Sequence, residues 1–199
     1  MKINGLILAG GESRRFGSPK VFATLNGLPF YRIVLNQLLP FVSETAIVAK
    51  NDLMKQFSIG EGDRVTLLTD VDSFVGMGPL AGIYSAMERM EGDYFVTIAC
   101  DMPFLTEGLI TMLIDELMLH PDAMAIVPVE NERTQPLCAI YHASCENVIK
   151  HHLQDGRKRM MDLLHVIKVH YVSVNASNQR HFMNVNTTEE YETIQKGID

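Results

Sequence analysis

The sequence predicts an α/β fold in three layers, with a mostly parallel central sheet carrying helices on both faces. Three observations predict it. Short apolar runs of strand length recur along the chain, and stretches of helical period separate them. Strands that alternate with helices in this way argue for a largely parallel sheet covered by helices on both faces. No internal repeat, low-complexity tract or linker interrupts the 199 residues. Right-handed crossovers between the strands are then expected.

In chain order, Ile3–Leu8 reads as the first strand, stopped by Gly10-Gly11. An amphipathic stretch over 30–39 leads to a second strand at 45–49, and 65–69 reads as a third. Gly78-Pro79 marks a helix start with proline at its first position, so 80–90 is a helix, followed by a strand at 94–99. A helix over 105–120 precedes a strand at 123–128. Glu130-Asn131-Glu132-Arg133-Thr134 reads as a turn at the rim of the site, not as a domain boundary. Strands at 137–141 and 169–174 follow, and the last fifteen residues read as a closing helix. Asn186 or Thr187 would cap that helix, with Glu190 completing a capping box from Thr187. The length suits one domain over 1–199 with a sizeable core.

Composition narrows the function. Hydrophobic residues at 47% and charged residues at 21% are ordinary for a soluble globular domain, and no apolar run reaches membrane-spanning length. A net charge of −7 argues against nucleic acid as a partner. Anionic ligands therefore need local positive sites. Lys2, Arg14, Arg15 and Lys20 against Glu12 alone supply one; Lys150, Arg157, Lys158 and Arg159 against Asp155 supply another. Three cysteines, Cys100, Cys138 and Cys145, form an odd set without paired spacing, so reduced thiols and a cytoplasmic location are expected. The N-terminal apolar stretch is too short for a signal-peptide core.

Ligands of open parallel sheets sit beyond the carboxyl ends of the strands, so the residues just after each strand carry the chemistry. After the first comes Leu8-Ala9-Gly10-Gly11-Glu12-Ser13-Arg14-Arg15-Phe16-Gly17-Ser18-Pro19-Lys20. It is neither a Walker A loop nor a dinucleotide fingerprint. Its glycines let the backbone approach an anion. Arg15 suits a bidentate phosphate contact and Lys20 a point-charge contact. The bland alternative is a surface turn with solvated charges. After the second strand, Asn51 offers a base both donor and acceptors, or caps a helix together with Asp52. After the third, Asp70, with Asp72 beyond it, either accepts from a guanine edge or shapes a turn. The helix start at Gly78 either faces an anion or a base carbonyl, or only punctuates the chain. After the fourth comes Cys100-Asp101-Met102-Pro103-Phe104-Leu105, where Asp101 either binds Mg²⁺ or caps the next helix. His151 and His152 are adjacent and share no helix face, and cysteine spacing gives no zinc set.

The opening loop resembles the signature Leu-Ala-Gly-Gly-x-Ser-x-Arg-Met-Gly-x-x-Lys of molybdenum cofactor guanylyltransferases, with Phe16 in place of the methionine. The Asp-x-Pro-Phe-Leu stretch from Asp101 is similar to the metal-binding segment of that family. Gly78-Pro79-Leu80-Ala81-Gly82 beside Leu8-Ala9-Gly10-Gly11 resembles the guanine-using members, whereas cytosine-using relatives carry Leu-Ala-Ala-Gly. The resemblance implies a Rossmann-like nucleotidyltransferase fold. It implies transfer of GMP from GTP to molybdopterin-bound molybdenum, with Mg²⁺ held by Asp101 and pyrophosphate released. It further implies transient contacts with other proteins of cofactor biosynthesis and with recipient molybdoenzymes.

The candidate nucleotide site comprises Leu8, Ala9, Gly10, Gly11, Ser13, Lys20, Asn51, Asp70, Gly78 and Asp101, with Arg15, Lys20 and Asp101 as the catalytic set. For the acceptor the resemblance points to Gln135, to Arg157 and Lys158 in a pterin-phosphate-like stretch, and to Asn184 and Asn186. Arg157 stands where the family carries an acid, and a solvated basic helix end is the other reading of that stretch. About 1–105 would then bind the nucleotide and about 106–199 the acceptor. The competing readings are a cytidylyltransferase and a nucleotide-binding module without turnover. A hydrolase using Cys100 or a serine lacks any base-oriented nucleophile pattern.

Overall fold

The computed structural model describes residues 1–11, 17–60, 62–174, 182, 185 and 190–191. Strand β1 (Ile3–Leu8) is followed, after the glycine loop, by a small hairpin of β2 (Thr24–Leu25) and β3 (Leu28–Pro29). Asn26 and Gly27 turn that hairpin with φ of 52° and 77°, the left-handed pair that an Asn-Gly turn supplies. Helix α1 (Phe30–Leu38) leads to β4 (Thr45–Val48), and a 3-10 turn over Asn51–Gln56 precedes β5 (Val65–Leu68). Helix α2 (Pro79–Arg89), β6 (Tyr94–Ala99), α3 (Glu107–Leu119) and β7 (Ala125–Glu130) continue the alternation. Strands β8 (Arg133–Thr134) and β9 (Cys138–His142), helices α4 (Cys145–Gln154) and α5 (Met160–Leu164), and strand β10 (Val169–Ser173) complete the described elements.

The sheet order is β10-β7-β9-β6-β1-β4-β5, with β8 paired to β7. Strands β5, β4, β1 and β6 run parallel, side by side. Strand β9 is antiparallel to both neighbours, β6 and β7, and β10 is parallel to β7. All seven long strands coincide with the apolar runs of the sequence. What the runs do not carry is direction. The reversal arises because β7 ends in a two-residue turn, Asn131-Glu132, with φ of 47° and 63°. The chain must then return alongside, and β9 takes the place between β6 and β7. The expected turn over 130–134 is therefore present, as the tip of this hairpin.

Helices α1 and α3 cover one face and α2, α4 and α5 the other, each over its own apolar cluster. Every residue of β6 is buried, consistent with a strand under helices on both sides. Helices α4 and α5 add to the elements expected from the sequence. The closing helix expected over the last fifteen residues lies almost wholly outside the described residues. Among those described, Val185 is fully buried beside Leu25 and Phe30, and the Tyr191 hydroxyl donates to the Thr24 carbonyl at 2.6 Å. No helix among the described residues is long and apolar enough to cross a membrane.

One irregularity positions the site. Pairing of β7 with β9 and then with β8 shifts register, so Gln135-Pro136-Leu137 bulge out of what would be one long strand. The Tyr141 hydroxyl donates to the Pro136 carbonyl at 2.7 Å, and the Gln135 N–H to the Pro128 carbonyl at 2.9 Å. Leu137 is thereby held at the end of the sheet where β6 stops, its carbonyl accepting from the Ala99 N–H. Tyr141→Phe should cost about 1–2 kcal/mol of stability, read from the urea midpoint at unchanged slope, because it strips the Pro136 carbonyl of a donor. An unchanged midpoint would show that the bulge holds without it.

Candidate active site

Four parallel strands deliver their carboxyl ends to one edge of the sheet, and a cleft of about 1290 Å³ opens there. Backbone bonds continue past the strand ends: Ala9 N–H to Val48 O, Ala49 N–H to Leu68 O, and Cys100 N–H to Leu8 O. The floor is thus laced together, and the groups above it are held by rigid elements.

Leu8, Ala9, Gly10, Gly11, Lys20, Asn51, Asp70, Gly78 and Asp101 all line this cleft, as does Lys158 from the acceptor set. Gly10 and Gly11 are exposed, and a Cβ at either would meet nothing within 4 Å among the described residues. Their φ angles also lie outside the left-handed region. Among the described residues neither packing nor backbone conformation demands glycine there, and the open space lets a ligand approach the backbone.

Lys20 opens a short 3-10 turn, Lys20–Phe22, whose Val21 is buried in the core. Its Nζ lies 2.7 Å from Asp101 Oδ2, and both side chains are mostly covered, 13% and 20% exposed. Asp101 does not cap α3: Thr106 holds that place. Asp101 is instead fixed through its backbone, whose carbonyl accepts from the Val185 N–H at 3.2 Å. Cys100 beside it is no nucleophile. Burial first, and then the Asp101 charge, push its thiol up to about 12.

Asp70 sits at the far side of the cleft. Helix α2 braces its loop: Arg89 donates to the Thr69 carbonyl at 2.6 Å, and the Val71 N–H donates to Ser85 Oγ at 2.9 Å. Asp70 Oδ2 accepts from the Gly76 N–H at 3.1 Å, closing the loop that leads to Gly78. Burial holds the Asp70 carboxyl above its usual range, opposed by the Gly76 bond and the Arg89 charge. Gly78 takes φ 80° and hands the chain to Pro79, so α2 begins at the cleft wall. Gly82, one turn on, lies so near Leu8 that a Cβ would come within 2.7 Å of its Cδ2, which lets α2 pack close over β1.

The remaining candidates divide between the cleft rim and the surface beyond it. Asn51 starts its 3-10 turn with no side-chain cap bond, exposed at the cleft. Gln135 and Arg157 do not line the cleft: Gln135 belongs to the bulge, and Arg157 pairs with Asp155 at 2.8 Å on the surface. Ser13, Arg15, Asn184 and Asn186 lie outside the described residues. Leu137 and Lys50, outside the candidate set, also line the cleft; the register shift that presents Leu137 has no signature in the sequence.

A family model described as the MobA-like NTP transferase domain matches residues 5–172. The chain belongs to this family. A probable molybdenum cofactor guanylyltransferase of Bacillus velezensis is 38% identical over 193 residues, 96% of this chain and 94% of that protein. Among solved structures, the molybdopterin-guanine dinucleotide biosynthesis protein A of Archaeoglobus fulgidus superposes with a TM-score of 0.80 at 22% identity, covering 98% of each chain. A Mycobacterium tuberculosis protein solved in complex with manganese superposes with a TM-score of 0.67 at 14% identity, again covering 98% of each chain. These two structures establish that the MobA-like chain shares the Rossmann-like nucleotidyltransferase fold.

The Asp70 environment generates a pH prediction for this MobA-like site. A carboxyl whose folded value is raised favours the fold while protonated, and that advantage is lost as pH rises through the folded value. Asp70→Asn, which still accepts from Gly76, should therefore melt higher than the native chain at pH 7. The gain should shrink as pH falls through the acid range where Asp70 takes up its proton. A gain independent of pH would mean that burial of the charge is not its source.

Proposed function

We propose that this chain transfers GMP from GTP to molybdenum-bearing molybdopterin, forming the guanine dinucleotide cofactor and releasing pyrophosphate. The observation that carries the reading is the span between two chemically different ends of one cleft. Asp70 follows β5 and Asp101 follows β6, three strand spacings away, or about 14 Å. That is the scale of a nucleoside triphosphate. The braced acceptor Asp70 suits a guanine edge, and Lys20 with the Gly10-Gly11 backbone suits phosphates. The name carried by the 38% identical relative supports the same chemistry.

The acceptor's phosphate oxygen attacks the α-phosphorus of GTP in line; the new P–O bond forms as the bond to the β-phosphate oxygen breaks. An anionic nucleophile needs no general base, so catalysis rests on positioning and charge. Lys20 neutralises the departing pyrophosphate, and Arg15 is assigned the same role from the opening loop. Asp101 is one carboxylate, partly exposed at the cleft floor with Lys20 on one oxygen. That fits Mg²⁺, which takes one or two carboxylates and completes its shell with water and phosphate oxygens. Held by Asp101, the ion supplies a Lewis acid for the phosphoryl oxygens. The manganese of the mycobacterial neighbour accords with a divalent ion at such a fold.

About residues 1–105 are assigned to the nucleotide and about 106–199 to the acceptor. Lys158 lines the cleft, with its backbone carbonyl beside Gly78, and is proposed as the cation that meets the pterin phosphate. Gln135, Arg157, Asn184 and Asn186 are proposed to frame that end.

Calorimetric titration with GTP, CTP and ATP in the presence of Mg²⁺ tests the nucleotide; GTP should bind tightest, and a preference for CTP would replace the reading with a cytidylyltransferase. Lys20→Ala should lower turnover by about 10²-fold or more with the fold intact by circular dichroism. Asp101→Asn should lose the response of turnover to Mg²⁺, and a retained response would remove Asp101 from the metal.

A further inference from the structure

Away from the cleft, three metal-ligating side chains meet. Helix α3 places Glu116 and His120 one turn apart on one face, with His120 just past its last residue. Strand β10 presents His170 two residues before Val172, which packs into the cluster beneath α3. His170 Nε2 lies 3.0 Å from Glu116 Oε2, and His120 Nε2 lies 3.7 Å from the same oxygen. The two imidazoles stack with centroids 3.6 Å apart and planes inclined by 22°. One ligand atom from each residue falls within 4.8 Å of the others.

We infer that Glu116, His120 and His170 form a peripheral site for a divalent ion of the zinc class. Bonds of about 2.0–2.2 Å to nitrogen and oxygen put tetrahedral ligand atoms about 3.3–3.5 Å apart. The observed 3.0 and 3.7 Å edges to Glu116 bracket that length, and the stacked imidazoles must fan apart on binding to direct both nitrogens at the ion. Two imidazoles and one carboxylate suit zinc and its first-row neighbours rather than magnesium. Hydrogen bonding alone satisfies the group poorly, since at 3.7 Å His120 stands beyond hydrogen-bond range of the oxygen it faces. The carbonyl end of α3 adds negative potential at the same place. Cysteines do not compete: all three are buried, and burial pushes each thiol up to about 12.

The site lies at the edge of the sheet opposite the cleft. Helix α3 leaves β6 at the cleft edge and runs back, so its last turn reaches the end where β7 and β10 begin. An ion there would tie α3 to the edge strand β10, beside the pair already formed by Lys168 and Asp122. None of its ligands lines the cleft, so the site is independent of the transferase reading.

The test uses untagged full-length protein, with ZnCl₂ titrated by calorimetry under saturating Mg²⁺ and Co²⁺ absorbance reporting geometry. One ion per chain should bind, with intense Co²⁺ d–d bands, and Asp101→Asn should bind it equally. His120→Ala and His170→Ala should each weaken binding at least about tenfold, while transferase activity persists. Glu116→Gln, nearly isosteric, gives the same readout should a histidine variant fold poorly. Zn²⁺ at a hundredfold excess over Kd should raise Tm by about 5–10 °C. Absence of stoichiometric uptake overturns the inference. So does uptake that survives both histidine substitutions, or that disappears with Asp101→Asn, which would place the ion in the cleft.

Discussion

Parallel strands all end at the same edge of their sheet, and in this protein nearly everything chemical follows from that constraint. Strands β5, β4, β1 and β6 lie side by side in one direction, so the residues after each arrive at one cleft from very different points in the chain. The ladder continues past the strand ends through Ala9, Ala49 and Cys100, which makes the floor part of the sheet rather than a set of loose loops. Side chains standing on such a floor keep their spacing without a ligand to organise them, and preorganisation of that kind is what phosphoryl transfer needs most.

Charge is distributed with equal economy. A chain of net charge −7 repels a triphosphate at long range, so attraction must be local. In the proposed reading Lys20 provides it; the side chain is paired with Asp101, and both are mostly covered. Removing either partner would strand a charge in a poorly solvated place. Asp70 bears the opposite cost: burial works against its ionised form, and the loop compensates by giving it the Gly76 N–H. A destabilised acceptor held open toward a cleft is the kind of group a hydrogen-bonding ligand relieves.

Legibility in the sequence followed how local each cause was. Apolar runs located all seven long strands, and Gly78-Pro79 located the start of α2 to the residue, because burial on both faces and proline geometry act at the site of the residue itself. Asn26-Gly27 is an equally local hairpin signal, since both residues take the left-handed φ the turn requires. Leu8, Gly10, Lys20 and Asp101 were legible through their motif, and the fold brings them to one cleft. Asp101 as a helix cap was a fair local alternative; the chain places Thr106 there instead, because α3 begins later than its apolar pattern does. The basic run at Arg157 does not show that its guanidinium pairs on the surface with Asp155, two residues back, because that pairing depends on how α4 ends.

The sequence by itself determined where chain segments are buried and where the backbone can come close to an anion, since side-chain size, polarity and the absence of a Cβ are properties of single residues. Only tertiary structure decided the direction of β9, the bulge that brings Leu137 to the cleft, the pairing of Lys20 with Asp101 and the meeting of Glu116, His120 and His170. Each of these joins groups distant in sequence or depends on register, and register is settled by competition among whole strands for neighbours rather than by any residue alone.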